Sequence, residues 1–342
     1  MATYPQNYYM ISNRTYYSST GTFGTTVALG GALTFLQAPA ASPTAFTVVS
    51  QSAWLDAVQQ DLRANGSGAT AACNIFFHGY GVTYDGAVKD FPEYFNNLQN
   101  TPSGAGYSGV QIGFDWPSDD DAGGTMGHGG PQQQAFQNAK ANARATGSES
   151  FPLLYPVLQS IVATTGVQGV SLTAICHSMG NYLMYCGAGA FAQSSPLFNE
   201  IICAAAMLNF KSFNSSQSPT YSADIVAAAK QVTVYYSRHD DVLPFAEQPG
   251  YDGYKELGIY GPTYGTTLLA GVVGVDCSEV VNQANTNIYE QGWSPKLIHT
   301  SYFFIPEVLE DISYTLAGGQ GGNGDRQPIA GSNGAGFTMV PT

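Results

Sequence analysis

Val170-Ser171-Leu172-Thr173-Ala174-Ile175-Cys176-His177-Ser178-Met179-Gly180-Asn181-Tyr182-Leu183-Met184 is the stretch on which the fold turns. Its first six residues are a short apolar run of strand length, and those after Gly180 suit a helix. Between them the chain must reverse sharply around a serine. The motif that does this is G-x-S-x-G, in which small residues flank the serine because the turn closes tightly on itself. Here Cys176 takes the first small position and Gly180 the second.

Other apolar runs repeat the pattern on either side: Cys73–Phe77, Val110–Phe114, Ile201–Leu208, Val232–Tyr236 and Leu269–Val275. Helix-like stretches lie between them at Pro131–Ala145, Phe151–Thr164, Asn181–Phe191 and Ser222–Lys230. Ser52–Arg63 precedes them, with Trp54, Leu55, Val58 and Leu62 at helical spacing. Short apolar strands alternating with helices predict a mostly parallel central sheet with helices on both faces, an α/β fold. Such sheets carry their chemistry at the carboxyl ends of the strands, where the polar motifs of this chain fall. Residues 1–45 read as an irregular or β-rich extension packed on a core domain of residues 46–316. Residues 317–342 read as a Gly-rich irregular tail, and no internal repeat or linker divides the chain.

A serine hydroxyl becomes nucleophilic when a neighbouring base takes its proton. Ser178 is the expected nucleophile. In α/β hydrolases the acid and the histidine follow the serine in chain order. After the run Val232–Tyr236 comes Ser237-Arg238-His239-Asp240-Asp241, which offers Asp240 as the acid and Asp241 in reserve. His299 is the one histidine downstream of both and the expected base, on a loop after the last strand. His78-Gly79-Tyr80-Gly81 follows an early strand, where α/β hydrolases place the second oxyanion-hole amide; the backbone N–H groups of Tyr80 and Met179 take that role. The other reading of His78 is a structural hydrogen-bonder in a glycine turn. Trp116, Tyr84 and His177 are candidates for the substrate pocket.

Composition bounds the rest. The net charge is −13 with 11 Lys+Arg, too few cations to release the counterions of a polyanion, so neither nucleic acid nor an anionic membrane is an expected partner. Only 10% of the 342 residues are charged, against roughly 25% in ordinary soluble proteins. That suits a secreted protein as well as a cytoplasmic one. The first residues lack the basic start and apolar core of a signal peptide, and no apolar run is long enough to span a bilayer. Five scattered cysteines without a C-x-x-C pair argue against a disulfide framework or zinc ribbon. Cys73, Cys176 and Cys203 read as small buried hydrophobes, with a single pairing left open. Asp119-Asp120-Asp121 lacks the ligand spacing of a calcium loop, and His128 and His177 have no metal-ligand spacing. No metal and no cofactor are expected.

The motifs together resemble the DUF900 family of bacterial α/β hydrolases. Its members show Phe-x-His-Gly, then Trp-Pro-Ser, Ala-His-Ser-Met-Gly-Asn, Tyr-Ser-x-x-Asp and His-Ser-Tyr-Phe in that order. This chain has Phe76-Phe77-His78-Gly79, Trp116-Pro117-Ser118, Cys176-His177-Ser178-Met179-Gly180-Asn181, Tyr236-Ser237-Arg238-His239-Asp240 and His299-Thr300-Ser301-Tyr302-Phe303. The match runs over about residues 73–312. It departs at Cys176, where Ala or Gly is usual, and at Thr300, inserted after the histidine. The resemblance implies the α/β-hydrolase fold and a Ser178–Asp240–His299 triad. It says little of the substrate. The expected function is a serine hydrolase of carboxylic esters working through an acyl-enzyme, with an acyltransferase on the same triad or a non-catalytic scaffold as the alternatives.

Overall fold

The computed structural model describes residues 7–341, apart from 67–68, 102–105, 119–129, 217–219, 266, 283–295 and 320–324. The glycine-rich loop after Ser118, with Asp119–Asp121 and His128, lies outside the described residues. The strands are β1 (Asn7–Ser12), β2 (Arg14–Tyr17), β3 (Thr22–Val27), β4 (Thr34–Pro39), β5 (Thr47–Val49), β6 (Thr70–Phe77) and β7 (Val110–Asp115). They continue with β8 (Gly169–His177), β9 (Phe198–Ala204), β10 (Ala229–Tyr236), β11 (Val272–Asp276), β12 (Arg326–Pro328) and β13 (Gly336–Met339). Eleven of them make one sheet in the order β12-β13-β11-β10-β9-β8-β6-β7-β1-β4-β5, while β2 and β3 pair as a separate hairpin. From β13 to β1 every neighbour is parallel; β12, β4 and β5 are antiparallel additions at the two sides.

The central strands are apolar along their whole length because both sheet faces are covered. Neighbouring residues on a strand point to opposite faces, and β6 shows what lies on each. Phe76 packs against Phe91 and Phe95 of α2 (Tyr84–Gln99), at ring-centre distances of 5.8 and 6.4 Å. Phe77 packs against Phe151 of α4 (Phe151–Val162) at 5.5 Å. The helix α1 (Gln51–Asn65) starts on Ser50, whose side chain accepts the Ala53 N–H, and buries Trp54, Val58 and Leu62 four residues apart. α3 (Gly130–Ala145) runs to α4 through one turn of π-helix, Thr146–Ser150, where the Asn13 amide donates to both Thr146 and Ser150 hydroxyls.

Both ends of the chain add strands to the main sheet. The β-rich residues before 46 place β1 between β7 and β4, with Tyr9, Met10 and Ile11 fully buried. After Ala317, β13 pairs in parallel with β11, and β12 pairs with β13. Arg326 of β12 is buried against Asp311, Tyr235 and Thr315, which pins this hairpin to the sheet and to the helix Pro306–Leu316. All five cysteines are free. Among the described residues no helix is long and apolar enough to cross a membrane.

Candidate active site

β8 ends at His177, and α5 (Met179–Gly187) begins one residue beyond Ser178. Ser178 therefore carries the whole reversal, with φ 53° and ψ −122°. A non-glycine residue in this region costs on the order of 1–3 kcal/mol and persists only where its surroundings hold it. Here they do. The Ser178 N–H donates to the Ala204 carbonyl (3.0 Å), and the Ser178 carbonyl accepts from Met207 N–H and Asn181 N–H at 3.2 and 3.1 Å. The Asn181 side chain donates to the Cys176 carbonyl at 2.9 Å, clamping the two sides of the turn together. A side chain at Gly180 would collide with the Phe77 carbonyl oxygen, so the residue after Met179 has to be glycine. Cys176 fits the other small position fully buried, and burial pushes its thiol pKa up, leaving it an inert hydrophobe.

Ser178 opens onto a cavity of about 400 Å³ at the carboxyl ends of the strands. His299, His78, Gly79, Tyr80, His177 and Asp241 also line it. His299 lies not on a loop but on a short helix, Lys296–Thr300. Its Nδ1 is 2.7 Å from Asp240 Oδ2, which leaves Nε2 as the nitrogen not held by the carboxylate. The other Asp240 oxygen accepts from the backbone N–H groups of Val242 and Leu243 at 3.0 and 2.9 Å. Both oxygens of Asp240 are thus engaged in a buried setting. Asp241 instead faces the cavity, with one carboxyl oxygen, Oδ1, buried and unbonded among the described residues.

His177 also reaches the cavity, but its Nε2 donates to the His299 carbonyl at 3.0 Å. Burial, together with the nearby His299, pushes its pKa down to about 3, so it is a neutral strut holding the His299 backbone. Met179 is the first residue of α5, where the opening amides of a helix have no partner inside it. Gly79 sits so close beneath the serine that a Cβ there would lie 2.8 Å from the Ser178 Cβ.

Two pocket candidates are placed elsewhere. Trp116 is fully buried; its ring stacks on His78 at 5.6 Å, and its indole N–H donates to the His78 carbonyl at 2.9 Å. Tyr84 stacks on Phe23 at 4.2 Å. Neither lines the cavity, because each is consumed in packing the loops that support it.

No motif marks what holds the loop after β6. The Trp116 N–H donates to His78 Nε2 (3.1 Å), which puts the ring proton on Nδ1, and Nδ1 donates to the Gly79 carbonyl at 3.0 Å. His78 is therefore a structural hydrogen-bonder that fixes the loop carrying the Tyr80 backbone amide. Beneath it, Arg14 donates to Asp115 (2.9 Å), to the Val82 carbonyl (2.7 Å) and to the Trp116 carbonyl (2.9 Å). Burial, the largest single influence, would raise the Asp115 pKa; the Arg14 guanidinium, joined by His78 and Ser12, offsets it and holds the carboxyl below its usual value. Arg14 thus ties the loop after β6 to the end of β7, from a segment that carries no motif. Among the described residues no three His, Cys, Asp or Glu side chains are grouped to hold a metal.

The family described as "Alpha/beta hydrolase of unknown function (DUF900)" matches residues 55–285, a span that holds Ser178 and Asp240 and ends before His299. No curated protein matches the chain. Solved structures that are similar include prolyl oligopeptidase B from Galerina marginata (11% identity, TM-score 0.29) and a prolyl endopeptidase (12% identity, TM-score 0.27). They align with 89% and 88% of this chain, which spans only 37% and 39% of theirs. That likeness is too slight to inform the reading of the site.

Proposed function

The chain belongs to the DUF900 family of α/β hydrolases, and from that premise we propose that it is a serine hydrolase of carboxylic esters with Ser178, His299 and Asp240 as its triad. The observation that carries this reading is the Asp240–His299 pair, bonded at 2.7 Å, with His299 facing the same cavity as a serine held in a strained turn. In this mechanism Asp240 fixes the Nδ1–H tautomer of His299 and stabilises its imidazolium form. His299 Nε2 takes the Ser178 proton as the serine oxygen attacks the acyl carbon. The N–H groups of Met179 and Tyr80 receive the developing oxyanion, an interaction of several kcal/mol in such sites. His299 then protonates the departing alcohol, and water repeats the sequence to free the acid. An ester suits this apparatus because an alcohol protonated by His299 leaves the tetrahedral intermediate far more readily than the amine of an amide would.

The test is hydrolysis of short p-nitrophenyl esters by the protein and by Ser178→Ala, with folding checked by circular dichroism. The variant should lose roughly 10⁴-fold or more in kcat, as in other serine triads. Phenylmethylsulfonyl fluoride should add one sulfonyl group to the protein and none to the variant. Equal hydrolysis by the two proteins would refute Ser178 as nucleophile.

A further inference from the structure

The cavity that holds Ser178 has aromatic walls, among them Phe76, Phe91, Tyr94, Phe136 and Phe245. Two carboxylates interrupt them, Asp90 from α2 and Asp241 beside the triad acid. No lysine or arginine is among the described residues that line it. Lys140, 5.9 Å from the Phe136 ring centre, is paired with Asp252, and Lys89 next to Asp90 is exposed on α2. The carboxylates are poorly compensated. Asp241 Oδ1 is buried without a hydrogen-bond partner among the described residues, and burial raises the pKa of both groups; at Asp241 the charge of Asp240 adds to the rise, and its own backbone N–H and His299 offset only part of it. His78 and Lys89 pull Asp90 down and Glu93 pushes it up, and burial still prevails.

A ligand cation would answer both features at once. It replaces the water a carboxylate has lost, and it is drawn to the negative faces of aromatic rings. An anionic ligand meets two like charges in a site with little to screen them, within a molecule of net charge −13. We propose that this cavity selects esters bearing a cationic nitrogen, an ammonium or quaternary ammonium group, with Asp90 and Asp241 as the specificity-determining residues. The proposal rests on the ester-hydrolase reading of the same site.

The test compares two esters of one acid that differ only in charge, the 3,3-dimethylbutyl ester and its trimethylammonioethyl isostere. Each competes with p-nitrophenyl butyrate, and its Ki is measured with the full chain. The cationic ester should bind at least about tenfold more tightly, in the range of a desolvated cation–π contact. The ratio should shrink severalfold in Asp90→Asn and in Asp241→Asn, each compared with its own neutral-ester Ki, and also at high salt. Equal Ki values, or tighter binding of the neutral ester, would overturn the proposal and leave the hydrolase reading intact. Absence of Ser178-dependent hydrolysis of p-nitrophenyl butyrate would instead overturn the hydrolase reading, and the proposal with it.

Discussion

At the scale of single residues, adjacent aspartates have opposite environments. Asp240 has both oxygens engaged, by His299 and by two backbone amides, whereas Asp241 has an oxygen buried with no partner among the described residues. Asp240→Asn should keep the shape of the site yet hold His299 in the wrong tautomer, lowering kcat about 10³- to 10⁴-fold at neutral pH. Steady-state kinetics on a p-nitrophenyl ester reads this directly, and a loss below tenfold would remove Asp240 from its assigned role. Much of this site was legible beforehand, since a serine turn, an acid after a later strand and a last histidine appear in chain order. The choice between Asp240 and Asp241 was not, because the two share one local sequence and differ only in what folds around them. Arg14 was illegible too. The partners that make it a brace, Val82, Asp115 and Trp116, are 68 to 102 residues away, and no local pattern marks a lone arginine for that role.

Among elements, the long apolar strands read well and the compensated ones did not. β6, β7, β8 and β10 are buried on both faces and announce themselves as continuous hydrophobic runs. The run read as Ile201–Leu208 is instead β9, Phe198–Ala204, because Ala205 turns with φ 44° and Met207 drops under the serine turn. Lys230, assigned to a helix, belongs to β10. α2 went unread since Pro92 interrupts its pattern, and β13 since Gly336–Met339 is too short to show a period. What secures β12 and β13 is charge more than apolar area. Arg326→Met should therefore strand the buried Asp311 carboxylate and cost about 3–5 kcal/mol. Adding Asp311→Leu should restore much of that. Urea unfolding of the two variants checks it, and a single mutant as stable as the parent would show that the ion pair contributes nothing.

Over the whole molecule, buried acids set how stability follows pH. Burial raises Glu256 to about 10, with Asp252 and Glu247 adding to the rise, and raises Glu200 to about 7. Both lie above the ordinary value of 4.5, so the unfolded chain releases protons that the folded chain keeps. Stability from these groups is complete below pH 4.5 and declines as pH rises, through about 7 for Glu200 and about 10 for Glu256. His177, held near 3, has the opposite sign: its share is present above about pH 6.5 and is lost as pH falls. Tm should therefore decline between pH 6 and pH 9, and Glu256→Gln should flatten that decline; a scanning-calorimetry series with equal slopes would contradict it. The position of β1 has a consequence for synthesis. It finds β4 within some thirty residues of further synthesis, but its other edge belongs to β7, for which Tyr9 must wait until Ile112 is made. Until then Met10 and Ile11 sit on the open edge of a three-stranded unit, β1-β4-β5, and such an edge is a template for pairing with other chains. The nascent chain is most in need of a chaperone during that interval, before the segment carrying Ser178 has been translated.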